Sequence, residues 1–166
     1  MNESKYSLGI VGLGTMGRNL LLNMADHAIA VAGYDKDPSK LTLLESEGKG
    51  KPIRGFTRLS DFVNSLQQPK VILLLVPAGK IVDVVIDELQ PSLSAGDIII
   101  DGGNSHFNDT TTRVKKLSEQ GLHFFGMGIS GGEEGARIGP SMMPGGDKEA
   151  YLFVKPILEA IAAKVN

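Results

Sequence analysis

Short, almost unbroken apolar runs alternate along this chain with stretches of helical periodicity. The runs YSLGIVG from Tyr6, AIAVAGYD from Ala28, KVILLLV from Lys70, GDIIID from Gly96 and HFFGMG from His123 each predict a buried strand. A further short strand is expected near Phe56, after a polar, loop-like stretch from Lys49 to Gly55. Between the strands, TMGRNLLLNMADH sets Met16, Leu20 and Met24 at helical spacing. Asp37 and Pro38 suit the N-cap and first position of a helix over SKLTLLESEG, with Gly48 as its stop. LSDFVNSLQ, GKIVDVVIDEL (ended by Pro91) and NDTTTRVKKLSEQ (ended by Gly121) are the next helices. The last is expected over KEAYLFVKPILEAIAAKV, where Pro156 predicts a kink or a break.

Strands that are apolar along their whole length need cover on both faces. That requirement predicts a mostly parallel sheet with helices on both sides. Right-handed crossovers then lead to an α/β fold of the Rossmann-type, doubly wound kind. The 166 residues suffice for one such domain with a real core.

Composition narrows the chemistry. A net charge of -2 offers no basic field for nucleic acid. The chain has no cysteine, which excludes disulfides and thiolate metal sites and suits a reducing, cytoplasmic setting. His27, His106 and His123 lack metal-ligand spacing, so no metal is expected. His27 falls near a helix end, where an imidazole suits the dipole. A surface or capping role is expected for His106 rather than catalysis. The amino-terminal apolar run is too short and glycine-rich to span a membrane and lacks the marks of a signal peptide.

The candidate chemistry begins at IVGLGTMG. Gly12, Gly14 and Gly17 form G-x-G-x-x-G between a predicted strand and a predicted helix. The first glycine permits a tight turn, the second lets a diphosphate approach bare backbone, and the third lets helix and strand pack closely. Free N–H groups at the helix start then face the anion. A turn rich in glycine for packing alone is the competing reading. Eighteen residues after Gly17, the second strand ends at Asp35. An acid there accepts a hydrogen bond from the adenosine ribose 2′-OH and repels a 2′-phosphate, which favours NAD over NADP. Lys36 either counters that repulsion or is a solvated surface lysine. Asp37 adds a second negative charge unless it caps the helix.

Three later strand ends should reach the same crevice. Val76, Pro77 and Ala78 close the fourth strand, where Pro77 also serves simply to end it. Asp101-Gly102-Gly103-Asn104-Ser105 closes the fifth, with Asn104 as either a crevice-facing amide or a turn residue. The sixth strand is expected to end at Gly128. Beyond it, seven of the nineteen positions from 128 to 146 are glycine. Ser130, Gly131 and Gly132 can aim consecutive N–H groups and a hydroxyl at an anion, the carboxylate or phosphate of a small substrate. Glu133 and Glu134 fit the start of a helix better than a general-base role.

GLGTMGRNLLLNMADH, ILLLVPAG, GDIIIDGGNS and SGGEEGARIGPSMMPGG together resemble the 6-phosphogluconate dehydrogenase family, and the likeness covers nearly the whole chain. The wider β-hydroxyacid dehydrogenase group shares looser versions of these motifs. The resemblance implies oxidative decarboxylation of 6-phospho-D-gluconate with NAD(P)+ to D-ribulose 5-phosphate, CO2 and NAD(P)H, in the pentose phosphate pathway. It carries nucleotide contacts onto Gly12, Leu13, Gly14, Thr15, Met16 and Gly17, onto Asp35, Lys36 and Asp37, and onto Val76, Pro77 and Ala78. It makes Asn104 shared between cofactor and substrate, and Ser130, Gly131 and Gly132 substrate-binding.

The chain departs from the family pattern in several ways. Pro77 stands where many members carry a lysine after the fourth strand, and His106 and Phe107 follow a variable part of the pattern. Asp35-Lys36-Asp37 stands where NADP-dependent members carry Asn-Arg-Thr, so the bidentate fork for a 2′-phosphate is missing. The family's long all-helical second domain is also not found in these residues. In the family that domain builds the homodimer and supplies the lysine base, the glutamate acid and the phosphate-binding arginine. Residues 1–166 are therefore expected to be the NAD(P)-binding domain alone, inactive by itself and without catalytic residues of its own.

Overall fold

The computed structural model describes residues 5–165; residues 1–4, which enter the reading of the amino terminus, and Asn166 lie outside them. Seven strands among the described residues form one sheet. They are β1 (Leu8–Val11), β2 (Val31–Tyr34), β3 (Ile53–Phe56), β4 (Val71–Leu74), β5 (Ile98–Asp101), β6 (His123–Ser130) and β7 (Ser141–Gly146). Their order is β3-β2-β1-β4-β5-β6-β7. The first six pair in parallel, and β7 pairs antiparallel to β6 at the edge. The helices are α1 (Thr15–Asp26), α2 (Pro38–Glu47), α3 (Leu59–Asn64), α4 (Lys80–Leu89), α5 (Phe107–Ser118), α6 (Gly132–Ile138) and α7 (Lys148–Ile161).

The strands alternate their side chains between two cores. Leu8 and Ile10 of β1, Val71 and Leu73 of β4, and Ile98 and Ile100 of β5 join Leu20, Met24, Val154 and Leu158 from α1 and α7 on one face. Val11, Ile72, Leu74 and Ile99 join Phe62, Val82, Val85 and Leu117 from α3, α4 and α5 on the other. Both faces are therefore covered, which is why β1, β4 and β5 are apolar at nearly every position. The doubly wound arrangement expected from the sequence is the one observed.

Three details differ from the sequence reading. β7 was not expected, because Pro144, Gly145 and Gly146 interrupt any apolar run and most of the strand is exposed. Its place explains this composition: an edge strand tolerates a proline that cannot donate to a ladder. With β7 as partner, β6 continues past Gly128 to Ser130. The last helix runs through Pro156 without a break and ends at Ile161, short of the expected Val165. Pro156 and Leu152, whose carbonyl loses its helical donor, both lie on the exposed side, where the loss of that bond costs least.

The sheet order reverses between β1 and β4, whose neighbours lie on opposite sides. In an open parallel sheet this switch point leaves a crevice beyond the carboxyl ends of the strands. The segments that follow β1, β2, β4 and β5 all emerge at that edge.

Candidate dinucleotide-binding site

The turn from β1 into α1 is built on two close approaches. Gly12 has φ +99°, and a side chain there would begin 2.3 Å from the Leu75 carbonyl oxygen. A Cβ on Gly17 would lie 1.8 Å from the Gly12 carbonyl oxygen. Gly14, by contrast, faces open space with no heavy atom within 4 Å of its missing Cβ. Gly14 is also the N-cap of α1, and it provides no side-chain cap. The first turn of α1 has no acidic residue. α2, α5 and α7 are capped by side chains, as where Asp37 accepts from Ser39 N–H and Asp147 from Glu149 and Ala150 N–H. α3, α4 and α6 lack a side-chain cap but carry an acid in the first turn; α1 has neither. Among the described residues, the positive end of α1 thus has no side-chain oxygen of the protein on its first-turn N–H groups. Thr15 is exposed and Met16 half-buried beside it.

Leu13 takes a different place from the one its position in the motif suggests. Its side chain is fully buried in the core, and its N–H donates to Asp35 Oδ2 at 2.8 Å. Asp35 Oδ1 accepts from Asp37 N–H at 2.9 Å. The carboxylate at the end of β2 therefore braces the glycine turn, and Asp35 also lines the adjoining cleft. Lys40 Nζ stands 3.9 Å from Asp35, and Lys36 Nζ is 3.8 Å from Glu88 of α4. Asp37 is occupied as a cap; the Ser39 hydroxyl and N–H hold its carboxyl below the usual carboxylate range.

Two clefts adjoin the turn. One, of about 370 Å³, lies between β1, β2 and α4 and is lined by Gly12, Tyr34, Asp35, Val76, Ile81 and Val84 among others. The other, of about 180 Å³, is lined by Met16, Leu75, Val76, Gly102, Asn104 and Ile129. Val76 borders both, while Pro77 and Ala78 are exposed beside it. Asn104 is exposed and held at φ +59°, an unusual backbone for a residue other than glycine. Ser130, Gly131 and Gly132 are exposed at the carboxyl end of β6, with positive φ at both glycines. Glu133 and Glu134 lie in the first turn of α6.

His27 is the C-cap residue of α1, with Nδ1 2.8 Å from the Asn23 carbonyl oxygen. His106 caps α5 by accepting from Asn108 N–H. Among the described residues no cluster of His, Cys, Asp and Glu could hold a metal ion, and no helix is long and apolar enough to cross a membrane. The sequence reading missed Tyr34, Leu75, Ile81, Val84 and Ile129 as crevice residues. The one available signal was Ile81 and Val84, apolar side chains that remain half exposed on α4.

A parallel sheet with a bare, uncapped glycine turn at its switch point and an acid closing β2 defines a Rossmann-type dinucleotide-binding domain. Comparison with known proteins is more specific. Residues 7–166 match the family described as the NAD binding domain of 6-phosphogluconate dehydrogenase, and the chain belongs to that family. It is 53% identical over 163 residues to the decarboxylating 6-phosphogluconate dehydrogenase of Aggregatibacter actinomycetemcomitans, covering 98% of this chain and 34% of the relative. It is 50% identical to the NADP(+)-dependent, decarboxylating enzyme of Bacillus subtilis, covering 98% of this chain and 35% of that protein. The solved structure of Plasmodium falciparum 6-phosphogluconate dehydrogenase, studied with NADP+ and with 6-phosphogluconate, superimposes with a TM-score of 0.93 at 36% identity. That match covers 96% of this chain and 35% of that one. The chain thus spans about a third of the length of the relatives it matches.

Proposed function

We propose that this chain is the cofactor-binding domain of a decarboxylating 6-phosphogluconate dehydrogenase, converting 6-phospho-D-gluconate and NAD(P)+ to D-ribulose 5-phosphate, CO2 and NAD(P)H. The observation that carries the reading is the open, uncapped start of α1 at Gly14, set at the sheet's switch point. The first-turn amides of Thr15, Met16 and Gly17 hold the diphosphate there. The apolar cleft beside Asp35 takes the adenosine, and the cleft between Met16, Val76 and Asn104 takes the nicotinamide end. Bound NAD(P)+ supplies the hydride acceptor. Asn104 orients cofactor and substrate together, and Ser130, Gly131 and Gly132 grip the sugar acid near its carboxylate. The groups that move protons in the whole protein lie outside these residues, so the 166-residue chain binds cofactor and turns over negligibly.

Asp35 favours NAD+, because a 2′-phosphate beside it meets a carboxylate that the partly exposed Lys40 ammonium at 3.9 Å offsets only in part, and no arginine fork. Lys36 does not replace that fork while it leans toward Glu88. Calorimetric titration of the chain with NAD+ and NADP+, before and after Asp35→Asn, tests both statements. Removing one negative charge near the 2′-position should raise the NADP+ to NAD+ affinity ratio by about tenfold. The ratio is the proper readout, since an amide offers one acceptor oxygen to the two N–H groups that Asp35 holds, and affinity for both cofactors should drop somewhat. An unchanged ratio contradicts the role given to Asp35.

A further inference from the structure

Within the polar stretch NDTTTRVKK, Arg113 of α5 is only 5% exposed. Its Nε and Nη2 form a two-point pair with Asp83 of α4, at 2.8 and 3.1 Å. Nη2 also donates to the Gly79 carbonyl at 3.1 Å, and Nη1 donates to Ser105 Oγ at 3.3 Å. Nη1 further stands 3.6 Å from Asp101 Oδ2, a carboxylate whose side chain is fully buried. One guanidinium thus joins the segment that follows β4 to the segment that follows β5.

The far side of this network surrounds Asn104. Asp101 Oδ1 accepts from Gly103 N–H at 2.9 Å, and Asp101 Oδ2 accepts from the Ser105 hydroxyl. Both neighbours of Asn104 are therefore tied to one buried carboxylate. Asn104 itself keeps φ +59°, and among the described residues nothing bonds its side chain. A Cβ on Gly103 would fall 2.4 Å from the Val76 carbonyl oxygen, so the two segments also touch directly. Burying a guanidinium and a carboxylate for shape alone is a costly choice when an apolar pair would serve. What this cluster secures is one backbone setting for two loops at the crevice.

We propose that Arg113, acting through Asp101 and Ser105, is a positioning residue that fixes Asn104 and the segment 76–79 against the nicotinamide half of the dinucleotide, a role that rests on the cofactor reading above. It touches neither cofactor nor substrate. Loss of its link through Ser105 should be felt at one half of the ligand. The diphosphate meets the start of α1, outside this network. The adenosine cleft is lined in part by Ile81 and Val84 of α4, which Arg113 braces through Gly79 and Asp83, whereas among the described residues Ser105 bonds only Asp101 and Arg113.

The experiment compares the purified chain with Arg113→Met and with Ser105→Ala, which keeps the buried ion pair and removes one link. Calorimetry measures NAD+ against ADP and NADP+ against 2′-phospho-ADP, while amide hydrogen exchange follows Gly103, Asn104 and Ser105. The wild type should bind each dinucleotide more tightly than its truncated partner. Both variants should weaken the dinucleotides on the order of tenfold, consistent with the loss of a charge-assisted bond. Ser105→Ala should change the truncated ligands less than about twofold, Arg113→Met should weaken them more because α4 loses its brace, and both should speed exchange at 103–105 but not in β2. If Arg113→Met does not fold, Ser105→Ala decides. Equal weakening of whole and truncated ligands by Ser105→Ala, no weakening of either by that variant, or a wild type indifferent to the nicotinamide half overturns the positioning role alone. A folded wild type that binds none of the four overturns the cofactor reading and this role with it.

Discussion

Gly17→Ala should reduce dinucleotide affinity by at least about a hundredfold and cost the fold roughly 2–4 kcal/mol. The added methyl would start 1.8 Å from the Gly12 carbonyl oxygen and 3.0 Å from its carbon. These are backbone atoms held between β1 and α1, and no rotamer change can clear them. Either α1 slides away from the sheet or the turn opens, and each outcome displaces the first-turn N–H groups from the diphosphate position. Gly14→Ala is the matched control. Its φ of -62° suits any residue, and nothing lies within 4 Å of the new carbon. Stability should change by about 1 kcal/mol or less, the scale of an N-cap exchange. Affinity should nevertheless fall, because the methyl enters the space given to the ligand. Thermal melts and calorimetry on the two variants separate the packing role of one glycine from the access role of the other. A Gly14→Ala chain that binds as well as wild type would argue that no ligand approaches there.

Phe62→Ala should be the most destabilising simple truncation, at about 3–5 kcal/mol. Phe62 is fully buried. Its ring lies over β1 where Gly9 leaves room; a Cβ on Gly9 would fall 2.5 Å from Phe62 Cζ. It also meets Tyr34 at a ring-centroid distance of 5.9 Å and Phe56 at 6.3 Å. The truncation therefore leaves a void under three adjacent strands that the sheet cannot fill by a local shift. For a chain of this size the melting temperature should fall by roughly 10 °C. Dinucleotide affinity measured well below the melt should fall only a few-fold, because Phe62 meets the adenosine cleft through Tyr34 and does not itself line it. Saturating cofactor should restore part of the lost melting temperature. A large affinity loss in a variant that is still folded would mean that the aromatic layer shapes the crevice directly.

The two variants sample the two kinds of information that the sequence carried. β1, β4 and β5 could be read directly, because burial on both faces makes a strand apolar at every position. The glycine turn could be read because, at a fixed spacing, Gly12 and Gly17 each meet backbone that a Cβ would strike, while Gly14 leaves open space. Asp37 with Pro38 showed a helix start through local chemistry alone. What stayed hidden depends on contacts distant in sequence. Leu13 donates to Asp35 across twenty-two positions, and neither residue announces the other. Arg113 sits among threonines and lysines that read as a solvated helix face, and its burial comes from the carboxylates of Asp83 and Asp101. β7 lacked any apolar signature because it is an exposed edge. Its existence follows from β6 needing a partner beyond Gly128, which is a property of the sheet and not of the segment. Ile81 and Val84 showed only as surplus apolar residues on α4 until the fold placed them beside Asp35.

The central claim is that bare main chain at the start of α1 holds a diphosphate. Amide chemical shifts of the labelled chain, followed during titration with NAD+ or NADP+, test it most directly. The largest saturable changes should fall on residues 14–17, with smaller ones at Asp35 and 76–78, and ADP should reproduce the changes at 14–17. Saturable binding that leaves the amides of 14–17 unmoved while shifting residues elsewhere would contradict it.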